Sequence, residues 1–167
     1  YAIEQSITSG LLSMGLDVLL LGPIPTPGVA MLAKSMRADL GIMISASHNS
    51  YLDNGIKIFD KNGNKLSDKI ELDLESLMDS NIEEHLVNPE QIGRAKRLED
   101  ANARYIEFQK NTFPKKLNLE GLKIVLDCAN GAAYKSAPVI LWELGAEVIS
   151  MGVNPDGLNI NHQCGST

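Results

Sequence analysis

At 167 residues, 44% of them hydrophobic, the chain can bury a core as one ordinary domain or two small ones. A net charge of −6 and a pI near 5.0 argue against a general nucleic-acid binder, because the phosphate backbone rewards clustered Lys and Arg. No apolar run reaches the roughly 18 residues of a membrane-spanning helix. The two cysteines, Cys128 and Cys164, lack metal-site spacing and are too few for a disulfide framework. They read as reduced thiols of a cytoplasmic protein.

In chain order, residues 2–14 place Ile3, Ile7, Leu11 and Met14 on one face, which predicts an amphipathic helix stopped by Gly15. Residues 17–21 (DVLLL) predict a buried strand. Gly22-Pro23-Ile24-Pro25-Thr26-Pro27 cannot be helix or central strand, since three prolines fix φ and remove donors. That stiff connector leads into a helix over 27–36. An apolar run at 40–44 predicts a strand that breaks abruptly into Ser45, Ala46, Ser47, His48, Asn49 and Ser50. After a turn signal at Asp53-Asn54-Gly55, a second strand is expected over 56–59, followed by a hairpin or turn at Asn62-Gly63.

Ser67 suits the N-cap of a helix running to about Met78, with Asp68 and Glu71 near its positive end. Residues 79–93 are polar and irregular, and His85 beside Glu83 and Glu84 reads as a solvated side chain. A helix over 98–108 carries Leu98, Ala101, Tyr105 and Phe108 at core spacing. Residues 113–118 have the composition of a domain linker. A second unit follows: a strand over 123–127, a helix over 132–144 and a strand over 146–151. Asp127, Asn130 and Gly131 at the strand-to-helix turn fit either a phosphate-binding helix N-terminus or plain turn and cap chemistry. Residues 154–167 are loop-like. Helices and strands alternating in this way indicate an α/β layer architecture, with helices on both faces of a buried sheet. The chain begins at Tyr1 inside a helical pattern and ends at Cys164-Gly165-Ser166-Thr167 without a closing element, so a piece of a longer protein is expected.

A buried strand that delivers a hydroxyl, an imidazole and an amide onto one loop is where α/β proteins usually keep their chemistry. Ile44-Ser45-Ala46-Ser47-His48-Asn49, followed by Asp53-Asn54-Gly55-Ile56-Lys57, resembles the phosphoserine loop of the α-D-phosphohexomutases. Within that superfamily it is most similar to the bacterial phosphoglucosamine mutases, which also carry GPIPTP at this place. One departure is Ser50, where the family usually has proline; no reactive group is lost. DCANGA at 127–132 resembles the start of the family's second domain, as scaffold, and the last segment resembles the approach to its metal-binding loop.

The resemblance implies a three-layer helix/sheet/helix first domain over 1–114, incomplete, and the beginning of a similar second domain over 115–167. It implies Ser47 as phosphoryl carrier, His48 and Lys57 as catalytic groups and Asn49 as a phosphate or substrate contact. Further implications are Mg²⁺ held partly through the phosphate on Ser47, a sugar 1,6-bisphosphate as intermediate and activator, and a hexosamine phosphate substrate. The product would feed UDP-N-acetylglucosamine and cell-wall precursors in the cytoplasm, with room for a homodimer and no role for nucleic acid or membrane. The family's aspartate-rich DGDGDR-type metal loop is not among these residues, so the chain alone is expected to be inactive. Phosphomannomutase or phosphoglucomutase activity, or a sugar-phosphate-binding module without turnover, are the alternatives. Composition alone does not choose among Ser45, Ser47 and Ser50; the resemblance selects Ser47. A serine hydrolase is disfavoured, since no G-x-S-x-G elbow surrounds Ser47, His48 is poorly placed as its base, and His85 and His162 stand in unremarkable contexts.

Overall fold

The computed structural model describes residues 2–78 and 80–166; Tyr1, Asp79 and Thr167, at the edges of the expected first helix, polar stretch and last loop, lie outside them. The chain carries five α-helices among the described residues: α1 (Ala2–Ser13), α2 (Thr26–Ser35), α3 (Asp68–Met78), α4 (Ala101–Thr112) and α5 (Ser136–Glu143). Six strands accompany them: β1 (Val18–Leu20), β2 (Leu40–Ser45), β3 (Gly55–Asp60), β4 (Ala95–Arg97), β5 (Lys123–Asp127) and β6 (Glu147–Met151).

β2 and β3 form an antiparallel pair running from Leu40 opposite Asp60 to Ser45 opposite Gly55. Its far end is closed by the expected turn, where Asp60 Oδ1 accepts the backbone N–H groups of Asn62 and Asn64, both at 2.9 Å. α2 packs against this pair. Pro27 sits in its first turn, where no backbone donor is needed, and the helix ends as Arg37 turns to φ 56°. The core gathers Ile24 from the proline loop, Val29 and Leu32 from α2, Phe59 from β3, and Ala101 and Tyr105 from α4. Gly28 belongs to this contact: a Cβ there would stand 2.7 Å from Ile24 Cγ1, so a larger residue would push the proline loop off the helix.

β4 is an element that residue pattern did not predict. Ala95, Lys96 and Arg97 are all exposed and carry no apolar signal, yet they pair in parallel with Val18, Leu19 and Leu20. Tertiary partners make the strand: the Arg94 N–H donates to Asp17 Oδ1 at 2.8 Å, and the Leu98 N–H to the Leu20 carbonyl at 2.9 Å. That second bond continues the pairing through Leu98, so α4 starts at Ala101 rather than at the predicted Leu98. Gly93 is required at the crossing, where a Cβ would lie 2.0 Å from the Leu16 carbonyl oxygen.

β5 and β6 pair in parallel, Lys123 opposite Glu147 through Asp127 opposite Met151. The single helix expected over 132–144 is divided into a 3₁₀ turn, Ala132–Tyr134, and α5. Pro138 is the reason: it has no N–H, and its ring opposes the carbonyl four residues earlier, so the α-helix can begin only just before it. α5 lies against α4, with Lys110 of α4 ion-paired to Glu143 of α5.

The mixed α/β architecture is as expected. Among the described residues the strands pair two by two in three sheets. Val125 in β5 is 66% exposed and Ile149 in β6 48%, because α5 covers only one side of that pair. No helix is long and apolar enough to cross a membrane.

Candidate active site

Residues 46–54 join β2 to β3, and the residues at the start of this loop are placed by the last rung, Ser45 opposite Gly55. Ala46 is buried and anchors the turn, while Ser47, His48 and Asn49 are exposed. Ser47 adopts φ 57°, which costs an L-residue about 1–2 kcal/mol. Two short turns support it: the Ser47 N–H donates to Ser45 Oγ at 2.9 Å, and the Asn49 N–H to the Ala46 carbonyl at 3.0 Å. Each such bond contributes about 1 kcal/mol, enough together to offset the strain.

This geometry separates the three serines. Ser45 Oγ accepts from Ser47, and Ser50 Oγ accepts the Leu52 N–H at 3.3 Å. Both hydroxyls are occupied by backbone two residues on. Ser47 Oγ has a single partner among the described residues, His48 Nδ1 at 3.4 Å. Among the described residues, Ser47 is the one of the three whose hydroxyl accepts no backbone N–H. No carboxylate hydrogen-bonds to the His48 ring among the described residues.

Lys57 lies opposite Met43, one rung pair inward from Ser45, and strand alternation puts it on the same face as Ser45 and Met43. Ser47, His48 and Lys57 line one open hollow of about 330 Å³, together with Ser45, with Pro25 and Thr26 at the start of α2, and with Ala129 and Asn161 from the far part of the chain. The three residues expected to be catalytic thus share a site. Asn49 does not line that hollow; its carbonyl is an acceptor in the loop's outer support, described next. His85 is exposed in a 3₁₀ turn far along the chain, and His162 lines a neighbouring hollow with His48, Ser50 and Tyr51.

Residue pattern missed what holds the loop from outside. Asn161 Nδ2 donates to the carbonyls of Ser47, at 3.0 Å, and Asn49, at 2.7 Å. Asn161 is itself delivered by the turn after β5. There Ala129 and Asn130 adopt φ 53° and 51°, and the Ala129 carbonyl accepts the Asn161 N–H at 2.9 Å. Asn130 accepts the Asn154 N–H and donates to the Asn159 carbonyl. The Asp127 carboxylate accepts the N–H groups of Gly165 and Ala129, which hold it below its ordinary pKa of 3.8. Asp127 and Asn130 are therefore spent on the chain's own backbone, and the residue after Gly131 opens a 3₁₀ turn. Of the two readings of this turn, scaffold stands and the phosphate cradle does not. Cys128 is buried there, which pushes its thiol pKa up, and neither cysteine is paired.

Among the described residues no group of three or more His, Cys, Asp or Glu side chains is gathered to hold a metal ion. Ser47 is the one expected magnesium contact in the hollow, so these residues do not build that site by themselves.

Residues 1–85 match the family model described as phosphoglucomutase/phosphomannomutase, alpha/beta/alpha domain I. The chain is 64% identical over 167 residues to a phosphoglucosamine mutase of Caulobacter vibrioides and 62% identical to one of Afipia carboxidovorans. In each case all of this chain is matched, and it spans 37% of the relative's length. Among solved structures it is similar to a putative phosphomannomutase from Thermus thermophilus, with a TM-score of 0.77, 25% identity, and coverage of 94% of this chain and 35% of that one. A phosphoglucomutase/phosphomannomutase family protein of Burkholderia thailandensis shares the fold at a TM-score of 0.75 and 24% identity, over 93% of this chain and 33% of that one. With half of the chain matched by the family model and its whole length by these relatives, the chain belongs to the phosphoglucomutase/phosphomannomutase family.

Proposed function

We propose that this chain is the phosphoserine-bearing part of a mutase that interconverts glucosamine 6-phosphate and glucosamine 1-phosphate. The observation that supports the reading is that Ser47 lines one open hollow with His48 and Lys57 and, unlike Ser45 and Ser50, accepts no backbone N–H at its hydroxyl among the described residues. In the forward step, phospho-Ser47 gives its phosphoryl group to the free hydroxyl of the sugar monophosphate. The bond from phosphorus to Ser47 Oγ breaks as the bond to the sugar oxygen forms, and the hydroxyl proton leaves to a base. The resulting bisphosphorylated sugar reorients, and its other phosphate returns to Ser47. Such a transfer needs positioning and stabilisation of the charge on the moving group more than covalent help. His48 and Lys57 are the residues at hand to contact the phosphoryl oxygens or to move that proton.

The preference for glucosamine rests on the names of the relatives that match the whole chain. We also read residues 1–114 as the first domain and 115–167 as the beginning of the second, in a cytoplasmic enzyme upstream of UDP-N-acetylglucosamine. Mg²⁺ would require carboxylates beyond those described here.

The test is turnover by the full-length protein that carries this chain, given Mg²⁺, a sugar 1,6-bisphosphate and each of three substrates: glucosamine, glucose and mannose 6-phosphates. A kcat/KM at least about tenfold higher for the glucosamine sugar is expected. Equal or better use of mannose or glucose phosphate would overturn the sugar assignment, and no turnover of any would overturn the mutase. The 167-residue chain alone is expected to turn over none.

A further inference from the structure

We propose that Asn161 is a positioning residue for phosphoryl transfer, fixing the backbone on both sides of His48 so that Ser47 Oγ keeps one direction; this rests on the reading of Ser47 as the carrier. Among the described residues, the hydrogen bonds that reach residues 46–54 from beyond the β2–β3 hairpin come from Asn161 alone. Every other bond in the loop is local, spanning one to three residues. Both acceptors are carbonyl oxygens, so the amide must present its NH₂ end, and both of its N–H donors are used.

The two carbonyls belong to Ser47 and Asn49, so Asn161 spans the residues whose dihedrals aim the Ser47 side chain. Ser47 holds a left-handed conformation that a serine does not adopt by preference. A loop of small polar residues with one buried member, Ala46, has little packing of its own to hold that geometry. In-line transfer tolerates little misalignment, so a carrier free to swing loses rate rather than affinity.

The residue type fits the task. Asn161 has φ 58°, a conformation that asparagine tolerates and glycine enters without strain. Asn161→Gly therefore removes the amide and leaves the backbone unstrained. Asn161→Asp keeps shape and backbone tolerance but turns donors into acceptors facing two carbonyls. A residue needed only for its backbone conformation would be replaced by either without loss.

The experiment uses the full-length protein and two readouts. Amide hydrogen exchange of peptides covering 46–54 is expected to quicken about tenfold or more in both variants, with the melting temperature nearly unchanged. Phosphoryl transfer from a sugar 1,6-bisphosphate to Ser47 is expected to slow about tenfold or more at saturation, with the half-saturating concentration little altered. Wild-type exchange, wild-type transfer, or a loss confined to half-saturation would each overturn the proposal. If the unaltered protein never takes a phosphoryl group on Ser47, the proposed function fails instead, and with it the role in transfer; the exchange measurement then still decides whether Asn161 clamps the loop.

Discussion

The loop after β2 and the turn after β5 are built from the same materials and do opposite things. Both follow a short strand, both carry non-glycine residues at positive φ, and both are rich in small polar side chains. In the β5 turn every such group is consumed: Asp127 and Asn130 bind backbone at 129, 154, 159 and 165. In the β2 loop, among the described residues, the Ser47 hydroxyl has only the His48 ring as a partner. One turn is a clasp, and the other sets a serine hydroxyl at an open hollow. The difference lies in hydrogen bonding rather than in composition.

The sharpest way to break this contrast is Ser47→Ala in the full-length protein, which is expected to abolish phosphoryl uptake from a sugar bisphosphate. Intact mass would read the result, and persistent uptake at Ser45 or Ser50 would show that their local bonds do not silence them. The next effect belongs to the clasp. Asp127→Ala removes the acceptor for Gly165 and Ala129 and is expected to quicken amide exchange across 154–165 about tenfold. The same contact has a pH signature. The folded Asp127 carboxyl titrates below its ordinary 3.8, so its stabilisation is fully present above that value and is lost as pH falls through the folded one. Exchange across 154–165, corrected for intrinsic rates, should be steady from about pH 5 to 8 and rise only below about pH 4.

A smaller effect is expected from Ser45→Ala, which removes the acceptor of the Ser47 N–H but leaves the nucleophile. A loss of about 1 kcal/mol, or roughly fivefold in transfer rate, is the expected size. The control is Glu147→Gln at the start of β6. Its 2.9 Å pair with Lys123 is well exposed, 60% and 65% for the two side chains, and its loss should shift stability by no more than about 1 kcal/mol.

The candidate site was legible in the sequence through the resemblance of its loop to a known motif, and the support of that loop was not. Ser47, His48 and Lys57 lie within one hairpin, where strand alternation and a single turn signal suffice to bring them to one face. Asn161 acts across 112 and 114 residues of sequence, a distance over which no periodicity carries information. β4 was missed for a related reason: Ala95–Arg97 is strand because Asp17 and Leu20 pair with its flanks, not because its residues favour it. The division of the helix at Pro138 could have been read, since a proline at that depth forbids a continuous α-helix.

The most direct test of the account is peptide mapping of residues 45–57 in the full-length protein after incubation with a sugar 1,6-bisphosphate. A single phosphoryl group on Ser47, absent from Ser45 and Ser50, is the predicted result. A phosphoryl group on either neighbour, or none on any of the three, would contradict it.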